Sequence, residues 1–240
     1  MLDDFAALRA QAHGKLGLAL LPVGGNHPAV LGDWSSGVAW STIKVPLAIA
    51  ALRRHSDVSE QVGSAITASD NGAASALWQS LGTPQAAATA VEQVLHEAGD
   101  TTTDVADRHN PANADWASDS LAFGSTVWSL SDQVRFASRL PCLPQSASVL
   151  ALMGKVVAEQ SWGLGGFTGA RFKGGWGPDD ATGAYTERQF GLVRTHSGTL
   201  AVAVAALPDS GSFEDATLLV SRAVVVLAEH LGQLSGGTCP

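Results

Sequence analysis

Ser41 and Lys44 stand three residues apart in Ser41-Thr42-Ile43-Lys44, and in a helix that offset puts a hydroxyl and an amine on one face, one turn from each other. A serine hydroxyl is a poor nucleophile until a base takes its proton. A lysine can be that base when burial and nearby positive charge lower its pKa toward neutrality. The same four residues also describe an ordinary helix start, with the serine as cap and the lysine in water. Two further motifs bear on the choice. Ser69-Asp70-Asn71 offers a hydroxyl able to pass a proton and an amide able to orient a substrate, or, more plainly, a turn that caps a following helix. Lys173-Gly174-Gly175-Trp176 sets two glycines in a strand pattern, which they weaken unless something approaches the backbone closely. A substrate lying along a strand edge would be such a neighbour, and a bulge is the plainer alternative.

The elements that must position these residues follow from periodicity and turn residues. Residues 2–12 read as a short helix closed by Gly14, and residues 16–21 and 29–31 as adjacent antiparallel strands bounded by proline and glycine. Residues 41–54 read as a helix that tolerates Pro46, since the first amides of a helix have no internal partner. The stretch 58–159 is rich in Ala, Gln, Leu and Ser, with helical candidates at 71–81, 84–98, 129–138 and 145–159. Within it, residues 100–125 are polar and aperiodic, longer than most connections, which marks a functional loop. Residues 169–176, 186–195 and 199–207 then read as three strands and 213–234 as a closing helix. The expected fold is α/β of the α+β kind: an antiparallel sheet flanked by N- and C-terminal helices, residues 1–57 and 160–240, with an all-helical subdomain, residues 58–159, inserted between its strands.

Composition excludes several classes of function. The 240 residues are 45% hydrophobic and 15% charged, enough for a sizeable core. A net charge of −8 with 14 basic residues and no basic run argues against nucleic acid and anionic membranes as partners. No apolar run reaches the length of about 18 residues that an integral membrane segment needs. The first residues, Met1-Leu2-Asp3-Asp4-Phe5, lack the cationic start and apolar centre of a secretory signal, so a cytoplasmic protein or a mature exported form is expected. Seven scattered histidines form no ligand spacing, and neither metal nor cofactor is expected. Cys142 and Cys239 lie far apart, and two free thiols are the favoured reading.

In this order and on these elements, Ser-x-x-Lys, Ser-Asp-Asn and Lys-x-Gly form the motif set of class A β-lactamases and penicillin-binding proteins. The chain resembles these β-lactamase-like serine hydrolases in layout over essentially its whole length, and residues 39–47 look like the family's nucleophile helix. The resemblance implies a fold of the β-lactamase and transpeptidase type. It implies Ser41 as nucleophile, Lys44 as its base, Ser69 as proton shuttle and Asn71 as substrate-orienting amide. Lys173 would face a substrate carboxylate, with Gly175 and Trp176 on the substrate-binding strand, and the backbone amides of Ser41 and Trp176 would form the oxyanion hole. Trp40 and Trp176 would wall the cleft, while Trp34, Trp78, Trp116, Trp128 and Trp162 would pack in core or loops.

Two features depart from the pattern. No glutamate occurs between Glu97 and Glu159, where class A enzymes carry the base that activates the deacylating water; Asp107, Asp115 and Asp119 fall in that region. Gly174 stands where the family carries a Thr or Ser that binds the substrate carboxylate, and Arg188, read as an exposed strand arginine, is the residue that could compensate. The span from Ser41 to Ser69 is also shorter than in class A enzymes, so a trimmed helical insert is expected. The expected function is a serine hydrolase that forms an acyl-enzyme at Ser41 with a small-molecule or peptide substrate, a D-alanyl peptide or a β-lactam, and turns β-lactams over poorly. The alternatives are a small-ester hydrolase and a catalytically idle binding module on the same fold.

Overall fold

The computed structural model describes residues 1–105, 122–179 and 182–240. Its centre is a five-stranded antiparallel sheet in the order β2-β1-β7-β6-β5, formed by β1 (Gly14–Pro22), β2 (Ala29–Gly32), β5 (Arg171–Pro178), β6 (Tyr185–Thr195) and β7 (Gly198–Pro208). The long strand β7 shows how sequence divides the faces. Its valines, Val202 and Val204, turn to one side and its alanines, Ala201, Ala203 and Ala205, to the other, all fully buried. The valine face is covered by α8 (Phe213–His230) through Val220, Ala223 and Leu227, with α1 (Leu2–Gln11) beside it through Phe5. The alanine face, with no bulk beyond a methyl, lets α6 (Leu130–Arg139) lie close against β7, β1 and β6.

The helical block comprises α2 (Lys44–Arg54), α3 (Ser59–Thr67), α4 (Asn71–Ser80), α5 (Pro84–Glu97) and α7 (Ala147–Met153). Leu47, Ile49, Ile66, Leu77, Trp78, Val91 and Leu95 form its interior, continuous with the alanine face of the sheet. Its starts are chemically specified: Thr83 caps α5 through Ala86 N, with Pro84 in the first turn, and Ser129 caps α6 through Asp132 N at 3.0 Å. A two-stranded sheet of β3 (Ser36–Val38) and β4 (Val127–Ser129) leads directly into α6.

The structure departs from the sequence reading at several elements. Residues 41–54 are not one regular helix: Trp40–Ile43 is a 3-10 turn, and α2 begins at Lys44. The helix expected over 145–159 stops at Met153, ahead of Gly154, and only a short 3-10 turn, Ala158–Gln160, follows. The helix α3 and the pair β3–β4 were not foreseen. The cysteines are not free: Cys142 and Cys239 are disulfide-bonded, with Cα atoms 5.5 Å apart. The C-terminal tail is led to this bond by two backbone hydrogen bonds of 2.9 Å between Thr199 and Gly237. Among the described residues, no helix is long and apolar enough to cross a membrane.

Candidate active site

Three segments bring the motif residues together. The turn Trp40–Ile43 delivers Ser41, half-buried, one residue after Trp40, whose φ of +49° places a bulky residue in the left-handed region. The link between α3 and α4 delivers Ser69, likewise left-handed at φ +59°, and Asn71. Backbone in this region is costly for residues with a side chain and persists where surrounding structure fixes it. For Ser69 the fixing is visible: Asp70 N donates to Ser64 O at 3.2 Å, and the Asp70 carboxylate caps α4 by accepting from Ala73 N at 2.6 Å. The capping reading of Ser69-Asp70-Asn71 therefore holds for Asp70, while its neighbours turn to Lys44 and Lys173.

The third segment is β5. Gly175 lies on the alanine face of the sheet, and a Cβ placed there would meet Ser41 N at 2.8 Å, Ala39 O at 2.9 Å and Thr42 N at 2.9 Å. A Cβ at Gly177 would enter the Trp40 ring at 2.5 Å. The close neighbour that explains these glycines is thus the protein's own 39–42 turn. Gly174 differs, because a Cβ there would have only ordinary contacts, at 3.5–3.8 Å, with Trp176, Glu187 and Gln189 on the other face.

The amines converge on Ser69. Lys44 is buried and donates to Ser69 O and to Asn71 Oδ1, both at 2.6 Å, with Ser69 Oγ at 3.5 Å. Lys173, also buried, donates to Ser69 Oγ and to Gly174 O, both at 2.9 Å. Burial pushes Lys44 down to about 8, opposed by Asp70, and pushes Lys173 down to about 7, helped by the neighbouring Lys44 charge and opposed by Glu187. Among the described residues, Ser41 and Lys44 share no hydrogen bond, although Ser41 stands in the turn that leads into the helix that carries Lys44.

Other expectations are corrected. The Trp176 indole does not wall the cleft. It lies on the opposite face of β5, in a cluster with Trp162 and Phe213 at ring separations of 5.1 and 5.5 Å, and only its backbone is left on the site's side. Arg188 is not an exposed strand arginine and faces no substrate, being fully buried on the alanine face. Trp34, Trp78 and Trp128 are core residues, as read. Asp107, Asp115, Asp119 and Trp116 lie outside the described residues.

Two buried polar residues escaped the sequence reading. Gln133 sits on α6 among Leu130, Val134 and Ala137, so a polar residue on an apolar helix face was the available signal. Glu187 sits beneath Gly174 and accepts from Trp162 Nε1 at 2.9 Å, and burial pushes its carboxyl up to about 8.

The architecture is that of a class A β-lactamase. The chain superposes on a TLA-3 extended-spectrum β-lactamase with a TM-score of 0.76 at 14% identity, covering 96% of this chain and 98% of that one. A β-lactamase from Chitinophaga pinensis gives 0.71 at 17% identity, covering 95% and 97%, and a class A β-lactamase from Mycobacterium abscessus gives 0.69 at 16%, covering 95% and 98%. No protein-family model and no curated protein matches the chain.

Proposed function

We propose that this protein is a serine hydrolase that forms an acyl-enzyme at Ser41 with an amide or ester substrate, a D-alanyl peptide or a β-lactam. The observation that carries the reading is the Ser69 hydroxyl lying within reach of two buried, pKa-lowered amines beside the Ser41 turn. A neutral primary amine has two N–H bonds and one lone pair. Ser69 O and Asn71 Oδ1 occupy two donor directions of Lys44, so its neutral form keeps a lone pair free to accept a proton.

Attack by Ser41 Oγ forms the C–O bond and moves the carbonyl electron pair onto oxygen, where the Ser41 and Trp176 amides stabilise it. Its proton passes to Lys44 and, through Ser69, to the leaving nitrogen or oxygen as the scissile bond breaks. Hydrolysis of the acyl-enzyme requires a base for water. The chain has no glutamate between Glu97 and Glu159, and Glu187 is on the wrong face of the sheet. A positioned base contributes roughly 10²–10⁴-fold, so the β-lactam acyl-enzyme should be long-lived.

Intact mass after exposure to a penicillin tests this. One adduct that persists for minutes, maps to the Ser41 peptide and is absent from Ser41→Ala is the expected result, with a labelling rate that rises between pH 7 and 9 as Lys44 loses its proton. No adduct from either a penicillin or a fluorophosphonate would make the protein an idle binding module. Turnover of p-nitrophenyl esters without turnover of D-alanyl-D-alanine peptides would make it a small-ester hydrolase, a reading favoured by the hydroxyl missing at Gly174.

A further inference from the structure

Arg188 is a fully buried cation that, among the described residues, has no carboxylate partner. Its guanidinium donates to three carbonyls, Gly37 O at 2.9 Å, Val38 O at 3.1 Å and Trp128 O at 3.1 Å, and lies over the Trp34 ring at 5.1 Å. Its remaining contact is to Gln133 Oε1 at 2.8 Å. Burying a charge without a counter-ion is expensive, and a glutamate at position 133 would be the direct remedy. The protein has a glutamine there instead.

The reason lies on the far side of that amide. Gln133 Nε2 donates to Thr42 Oγ1 at 3.0 Å, and Thr42 Oγ1 donates to Ala39 O at 2.5 Å. A guanidinium can only donate, so the Gln133 atom facing it must be the oxygen and the atom facing Thr42 must be the nitrogen. Thr42 must then accept from Gln133 and spend its own proton on Ala39 O. That carbonyl also accepts from Thr42 N at 3.1 Å, while Ala39 N is held by Thr126 O at 2.7 Å. Both ends of the turn that carries Ser41 are fixed, and the polarity of the fixing is set by Arg188.

We propose that Arg188, Gln133 and Thr42 are positioning residues for the nucleophile: a buried, one-directional hydrogen-bond relay that locks the 39–42 turn and so holds Ser41 in its attacking position. The inference rests on the proposed role of Ser41. A carboxylate at position 133 would pair with Arg188 but accept from Thr42, drawing the hydroxyl away from Ala39 O.

Two variants therefore separate positioning from stability. Gln133→Glu supplies the missing counter-ion and should melt no lower than the wild type, yet react with fluorophosphonate about 10- to 100-fold more slowly, the range expected when a reacting group is displaced by about 1 Å. Thr42→Val, which keeps shape and loses the hydroxyl, should be slowed similarly, and Thr42→Ser should restore most of the rate. Amide hydrogen exchange at residues 39–43 supplies a readout independent of chemistry and should quicken in Gln133→Glu and Thr42→Val alone. Wild-type labelling and exchange in both variants would overturn the relay. A wild-type protein that never labels, with exchange quickened in both variants, would overturn the role of Ser41 and leave the relay standing as the lock of the turn.

Discussion

Gly174 and Gly175 are neighbours on β5, yet methylating them should have opposite consequences. At Gly175 the new carbon meets backbone atoms of the Ser41 turn at 2.8–2.9 Å, and neither the sheet nor the turn can yield without moving Ser41. Gly175→Ala should cost about 1–3 kcal/mol as an overpacked site and lower the Ser41 labelling rate by about 100-fold. At Gly174 the nearest atoms stand at 3.5 Å. Gly174→Ala should fold and label as the wild type does, with a gain of up to about 0.5–1 kcal/mol from removing a strand glycine. Parallel melts and fluorophosphonate time courses decide the matter, and equal behaviour of the two variants would remove close approach as the reason for Gly175. This residue scale is where sequence and structure agree best in position and least in direction. Ser69 is brought against Lys44 and Lys173 as their motifs suggest, whereas the turning of Trp176 to the opposite face depends on strand register that three motif letters do not encode.

Strand β6 carries Glu187-Arg188-Gln189 fully buried in the middle of the sheet, and this element has a titration of its own. In the unfolded chain Glu187 ionises at the ordinary carboxyl value of 4.5, whereas in the fold burial holds its proton to about 8. Between those pH values the folded state binds the extra proton, so this residue makes stability fall as pH rises from about 5 to 8. Glu187→Gln keeps an acceptor for Trp162 and removes the titration. Its melting temperature relative to the wild type should therefore climb steadily over that window, and a constant offset would show that Glu187 ionises normally in the fold.

The elements found in the sequence are those with long runs of one period, such as β6, β7 and α8. Those missed are short or interrupted. The segment α3 spans only 9 residues and contains Gly63, and β3 and β4 have three residues each and pair across a long stretch of chain, too few to show alternation. Gly154 and the turn after it, not apolar periodicity, set where α7 ends.

At the scale of the molecule, the Cys142–Cys239 bond spans 97 positions of sequence, and two isolated cysteines carry no spacing from which their meeting could be read. Only the path of the tail across β7 brings them together. A disulfide typically stabilises a fold by about 2–4 kcal/mol. Cys142→Ala with Cys239→Ala should accordingly lower the melting temperature by several degrees, by the same amount as reduction of the wild type, while leaving Ser41 labelling at pH 7 unchanged, since neither cysteine touches the 39–42 turn. An unchanged melting temperature under reductant would mean that the tail is not held through this bond in solution.

The bond also makes residues 142–239 a covalent ring that contains β5, β6, β7 and α8. A protease that cuts once inside the ring, at the exposed Asp209–Ser210 turn between β7 and α8, would add one water and release nothing. The nicked chain would run as one species without reductant and as two fragments with it, and Lys173 and Ser41 would stay in the same fragment.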